Sequence, residues 1–254
     1  MLRAHHPFDV PADATTLTLS ADESRHLAKV LRARPGEAVE AFDGRGGVFA
    51  GKILGGDAKA LTISVETRER VPAPRRRIAL AQAMPKGSLM DDVVRQATEI
   101  GAARIFPLAS ERCEVRLDAA RAAHKLERWR AIAVEACKQC GTRFLPEIEP
   151  VRTPAEFFAS LAAETRGNAA LRLVASLEAG TRPCPEIMRE RAAEPPGEIL
   201  WLVGPEGDFS PEEYAAARDA GFVPARLGAN VLRAVTAAIY VLSVADQMRQ
   251  FWDK

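Results

Sequence analysis

An α/β protein in two parts is the fold class that this sequence predicts, on three observations. Residues 1 to about 71 carry short β-like runs separated by Gly, Asp and Pro, the pattern of a small barrel or sandwich. "VPAPRRR" at 71–77 then interrupts the chain with prolines and basic residues. Beyond it, strand-like and helix-like segments alternate, which argues for a mostly parallel sheet with helices on both faces. The expected domains are 1–72 and 73–254.

In the first part the runs are "TLTLS", "AVEAF", "GVFAGKIL" and "ALTISVE". One helix interrupts them. Ser20 and Glu23 have capping-box spacing, and Leu27, Val30 and Leu31 give an i, i+3, i+4 apolar stripe that stops before Pro35-Gly36. "GRGGVFAG" at 44–51 is glycine-rich, but Phe49 stands where a dinucleotide fingerprint needs its third glycine and a strand follows, so a hairpin turn is expected.

In the second part "IALAQAM", "ARIFPLAS", "LRLVAS" and "ILWLVG" read as strands. "SLMDDVVRQATEIG", "DAARAAHKLERWRAIAVEACKQCG" and residues 231–252 read as helices. The most informative stretch is "ILWLVGPEGDFSPEEY", 199–214. A short apolar strand ends at Gly204. Ser210, Pro211 and Glu213 then supply an N-cap, an N1 proline and the N3 partner of a capping box. Gly204 and Gly207 are expected to take backbone angles closed to other residues and to expose amides at the carboxyl end of the strand, where open α/β sheets bind ligands. A second turn, "ARLGANVLRAVTAA" at 225–238, follows closely, and the two are candidates for two walls of one pocket.

Composition narrows the function classes. Lys and Arg number 35 against 34 acidic residues, so overall charge does not announce a nucleic-acid partner. Locally, residues 104–143 contain nine basic and five acidic residues, and residues 1–77 thirteen and ten. No GxxxxGK[ST] or His-Glu-x-x-His occurs. With four histidines and no pair of CxxC units among Cys113, Cys137, Cys140 and Cys184, no metal is expected. "MLRAHHPFDV" lacks the apolar core of a signal peptide, and Ala234 to Ala245 is too short to span a bilayer, so a reducing cytoplasm is the expected location.

Taken together, "HLAKVLRARPGE", "AMPKGSLMDDVVRQATEIGAARIFPLASERC", "RWRAIAVEACKQCGTRFLPEI", "LVGPEGDFSPEE" and "LGANVLRAVTAA" resemble, in order and over nearly the whole chain, the RsmE-type family. These are uridine-N3 methyltransferases of small-subunit ribosomal RNA in the SPOUT superfamily. The resemblance implies an amino-terminal PUA-like β-barrel that helps hold RNA and a trefoil-knotted α/β domain. It also implies S-adenosylmethionine as cofactor, 16S ribosomal RNA as partner and a homodimer. On it, Val203, Gly204 and Gly207 line one knot loop of the cofactor pocket. Leu227, Gly228, Val231, Leu232 and Arg233 line the other, with Leu173 and Ala175 as a third wall. The chain departs from the family at Asp208, commonly Gly, at Ala234 and Val235, commonly Thr-Glu, and at Cys113, usually Ser.

Uracil N3 lies on the Watson–Crick edge and carries a proton, so the base must be unpaired and the proton lost before methylation. Arg233 is the candidate for stabilising the uracil anion, a structural salt bridge being its other possible role. Glu206 is the candidate for orienting ligand groups or accepting the proton, with loop capping as the alternative. Arg25, Lys29, Arg32, Arg75, Arg76, Arg77, Arg112 and Arg143 are the candidate RNA phosphate contacts. Two other readings stay open: a catalytically silent RNA-binding protein on the same fold, because of Ala234 and Val235, and an unrelated α/β enzyme whose GPEG loop holds phosphate.

Overall fold

The short β-like runs of the first seventy residues pair into one sheet. The computed structural model describes residues 1–115, 117–163 and 170–254. The strands are β1 (Leu2–His5), β2 (Thr16–Thr18), β3 (Ala38–Phe42), β4 (Gly47–Asp57), β5 (Ala60–Ser64) and β6 (Thr67–Arg70). Their order is β1-β3-β4-β5-β2, with β6 beside β4 and all pairs antiparallel except β1 with β3. β4 bends between Ile53 and Gly55, where the register shifts. The expected hairpin joins β3 to β4: the Asp43 carboxylate accepts the Arg45 and Gly47 amides at 2.6 and 2.8 Å, with Gly44 and Gly46 at positive φ.

The helix of this unit differs from expectation. Ser20 Oγ does cap Glu23 N, at 3.3 Å, but Glu23 turns away to meet Lys138 Nζ at 3.1 Å, so the reciprocal half of the capping box is absent. The α-helix α1 spans only Ala21–Arg25, and a π-turn follows over His26–Val30. The wider turn takes Val30 and Leu31 off the apolar face: Leu27 is fully buried in the core, whereas Val30 and Leu31 are 66% and 45% exposed.

The chain clusters into two units, Met1–Ala73 with Val134–Leu145, and Pro74–Ala133 with Pro146–Lys254. A single cut at residue 72 therefore omits Val134–Leu145 from the first unit. Lys138 is buried against Glu23, and Arg143 Nη2 meets Glu40 Oε1 at 2.7 Å.

The second unit is built on a seven-stranded parallel sheet. In chain order its elements are β7 (Arg77–Ala83), α2 (Leu89–Ile100), β8 (Arg104–Leu108), α3 (Ala119–Cys140, whose last turns cluster with the first unit), β9 (Glu147–Ile148), α4 (Pro154–Ala163) and β10 (Leu171–Ala175). β11 (Arg182–Pro183), α5 (Cys184–Glu190), β12 (Glu198–Val203), α6 (Pro211–Asp219), β13 (Val223–Arg226) and α7 (Ala234–Trp252) complete it. The strand order is β11-β13-β10-β12-β7-β8-β9. β7 and β12 are central, which is why their apolar runs are continuous rather than alternating. The chain reverses across this sheet. It runs outward through β7, β8 and β9, crosses to β10, inserts β12 between β10 and β7, then places β13 outside β10. From that edge it returns to lay α7 against β12, β7 and α2. The order change brings the carboxyl ends of β10, β12 and β13 together.

Candidate active site

Three chain segments leaving those strand ends enclose a cavity of about 290 Å³. Ala175, Ser176 and Leu177 follow β10; Val203 to Glu206 and Asp208 follow β12; Arg226 to Gly228 and Asn230 to Ala234 follow β13, with Ala237 from α7. Of the residues predicted for this pocket, Ala175, Val203, Gly204, Glu206, Leu227, Gly228, Val231, Leu232 and Arg233 meet here. Leu173 does not, because it is wholly buried within the sheet. Gly207 does not either: a Cβ there would stand 3.2 Å from Arg112 Cβ, so it faces the loop after β8.

The GPEG loop is held from behind. Ser210 and Glu213 form the expected reciprocal capping box, with the Ser210 amide donating to Glu213 Oε2 at 3.0 Å and Ser210 Oγ accepting from Glu213 N at 3.3 Å. Such a cap contributes about 1 kcal/mol to a helix start. Glu213 Oε1 also accepts the Glu111 amide, and Arg112 Nη1 donates to Gly207 O at 3.1 Å. The buried Gln82 amide on β7 donates toward Val203 O and Gly204 O, both at 3.4 Å. That residue was missed in the sequence, although a glutamine inside "IALAQAM" is the signal that finds it.

The glycines act differently from expectation. Neither Gly204, Gly207 nor Gly228 has positive φ; in this loop it is Asp208 that does, at 59°. Gly204 is required by close approach, since a Cβ there would meet Asp208 Oδ1 at 3.2 Å and the Phe209 ring at 3.3 Å. At Gly228 a Cβ would meet nothing within 4 Å. Asp208 sustains its left-handed backbone with its own side chain: Oδ1 accepts the Phe209 amide and the Tyr214 hydroxyl, both at 2.8 Å. Burial and the adjacent Asp208 carboxylate push the Tyr214 hydroxyl well above its usual range, so it stays a donor.

Arg233 is the N-cap of α7, exposed at the cavity edge, and makes no ion pair among the described residues. The structural salt bridge considered for it is not formed with any described residue. Glu206 is exposed and accepts the Lys86 amide at 3.4 Å. Ala234 faces the cavity, whereas Val235 faces a separate apolar trough of about 920 Å³ between α7 and α5. Cys113 lies outside the cavity with its thiol against Ser110 Oγ and Met84 O, and burial raises its pKa.

The candidate RNA contacts divide by their partners. Lys29, Arg32 and Arg75 are exposed and have no ion pair among the described residues, and Arg25 is paired only with the exposed Asp22. Arg76 is bound to Asp253, Arg77 to Glu198 at 3.4 Å, Arg143 to Glu40, and Arg112 to the GPEG loop.

Comparisons with known proteins agree with the geometry. Residues 72–246 match the RNA methyltransferase domain model and residues 19–66 the RNA methyltransferase PUA domain model. The ribosomal RNA small subunit methyltransferase E of Mycobacterium bovis is 32% identical over 244 residues, covering 96% of this chain and 91% of the relative. Its counterpart in Synechocystis is 31% identical over 230 residues, covering 90% and 72%. The structure of the Neisseria gonorrhoeae enzyme of the same name, bound to S-adenosyl methionine, superimposes with a TM-score of 0.86 at 29% identity over 98% of each chain. A Legionella pneumophila protein solved with bound SAM gives 0.84 at 32% identity over 97% of each chain. With its PUA-like first unit and a second unit of the SPOUT trefoil-knotted α/β class, the chain belongs to the ribosomal RNA small subunit methyltransferase E family.

Proposed function

We propose that this protein transfers the methyl group of S-adenosylmethionine to N3 of a uridine in 16S ribosomal RNA, acting in the cytoplasm on the small ribosomal subunit as a homodimer. The observation that carries the reading is the convergence of three loops from β10, β12 and β13 on one cavity at the order change of the parallel sheet, where α/β folds bind ligands.

The residues present fit such a cofactor. At Gly228 no protein atom stands where a side chain would project, and Leu177, Val203, Leu227 and Leu232 offer apolar walls. Ala175, Val203, Gly204, Leu227, Gly228, Val231 and Leu232 would hold it. When bound, S-adenosylmethionine supplies an activated methyl group on a sulfonium.

The protein's own residues then have two tasks. Arg233, exposed at the cavity edge, stabilises the negative charge that develops on the uracil as N3 loses its proton. Glu206, exposed on the same rim, accepts that proton at a carboxylate oxygen. Lys29, Arg32 and Arg75 offer cations to RNA phosphates. The trough beside α7, lined by Val235, Ile239, Tyr240, Val244 and Phe251, is the surface a second copy covers; Phe251 is 63% and Tyr240 44% exposed. Among the described residues no helix is long and apolar enough to cross a membrane.

The test is methyl transfer from labelled S-adenosylmethionine to small subunits lacking the modification, followed by mass mapping of the RNA. One methylated uridine is expected. Cofactor binding without transfer to any subunit preparation points to the silent RNA-binding alternative, and absence of cofactor binding removes the reading altogether.

A further inference from the structure

Asp208 brings to the wall of the cavity a carboxylate that has no ion-pair partner among the described residues. We propose that Asp208 is a binding determinant for the positive charge of the methyl donor, which makes this cavity select a sulfonium-bearing cofactor over neutral adenosine thioethers. The inference rests on the cofactor reading given above.

Its grounds are geometric. Oδ1 is held by the Phe209 amide and the Tyr214 hydroxyl, each at 2.8 Å, so the carboxylate is fixed in orientation before any ligand arrives. Tyr214 is itself buried and packs edge-on against Phe209, with ring centroids 5.7 Å apart. Oδ2 makes no hydrogen bond to the described residues, and no Lys or Arg among them is paired with Asp208. The other acid of the cavity, Glu206, lies beside the Lys86 backbone and is exposed. Arg226 and Arg233 also line the cavity, but neither is paired with Asp208 among the described residues, so its half-buried carboxylate is left available to a cationic ligand. The ligand of this cavity carries that charge. Because asparagine tolerates the left-handed backbone at 208 and keeps an Oδ1 acceptor for the Phe209 amide and the Tyr214 hydroxyl, Asp208→Asn removes the charge while leaving the loop its hydrogen bonds.

The experiment is calorimetric titration of wild type and Asp208→Asn with S-adenosylmethionine and with S-adenosylhomocysteine, the neutral thioether that keeps the same amino-acid moiety. Asp208→Asn should bind S-adenosylmethionine about tenfold more weakly and S-adenosylhomocysteine within about twofold of wild type. Equal losses for both ligands would assign Asp208 to loop shape alone and overturn the proposal, as would undiminished affinity for S-adenosylmethionine. Wild type that binds neither ligand defeats the cofactor reading, and this inference with it.

Discussion

Ala234 and Val235 are consecutive residues at the start of α7, yet Ala234 lines the cavity and Val235 lines the apolar trough between α7 and α5. One residue of helix turns a side chain through about 100°, enough to separate the two spaces. Val235 therefore takes no part in the cavity wall. Val235→Glu should leave S-adenosylmethionine affinity within about twofold of wild type, whereas Ala234→Leu should weaken it about tenfold or more. Calorimetry reads both, and a large cofactor defect in Val235→Glu would reverse the assignment of faces.

Gly228 and Gly204 separate cavity filling from loop strain. A Cβ at Gly228 meets no protein atom within 4 Å, so Gly228→Val should fold with a Tm within a few degrees of wild type while losing about tenfold or more in S-adenosylmethionine affinity. Gly204→Val should instead lower Tm as well, because its side chain would press on Asp208 and Phe209. Normal cofactor binding by a folded Gly228→Val protein would take that turn out of the site.

Tyr240 tests the second copy. It stands 44% exposed in the trough, on the face of α7 opposite buried Val241 and Leu242. Wild type should be a dimer at micromolar concentration by light scattering, and Tyr240→Asp should be a folded monomer with reduced methyl transfer. A monomeric wild type that still methylates RNA rules the dimer out.

Arg75 is separable from its two neighbours. It is exposed and unpaired among the described residues, while Arg76 and Arg77 are held by Asp253 and Glu198. Arg75→Ala should reduce RNA affinity and flatten its salt slope by about 0.7 to 0.9. Arg76→Ala should leave the slope unchanged and lower stability, as loss of a half-buried pair does. Equal slopes for wild type and Arg75→Ala would place Arg75 outside the RNA surface.

Much of the fold was legible because its signals are local. The runs at β7 and β12 are apolar over four consecutive residues or more, those at β3, β5 and β10 are apolar but for one or two positions, and the Ser210/Glu213 capping box needs only a spacing of three. The strands without such a pattern were not foreseen. β6 is "TRER" with every residue exposed, β13 contains a proline, and β9 and β11 are two residues each. They belong to the sheets through backbone pairing, which leaves no periodicity to read. The helix after Ser20 was overread: its apolar spacing is real, but a π-turn at His26–Val30 moves Val30 and Leu31 to solvent.

For the site, the sequence by itself determined which loops carry it, because glycines, a strand end and a helix cap in one short stretch constrain the backbone wherever it lies. Only the tertiary structure decided which atoms face the cavity. The carboxyl ends of β10, β12 and β13 converge through a strand order that no local pattern encodes. Asp208, not a glycine, takes the left-handed turn because Tyr214 and the Phe209 amide bind its carboxylate. Arg76 is paired with Asp253, 177 positions away, and Lys138 with Glu23, 115 positions away. Charge and hydrogen-bond partners are set by distance in space, and over such separations the chain's order says nothing of that distance.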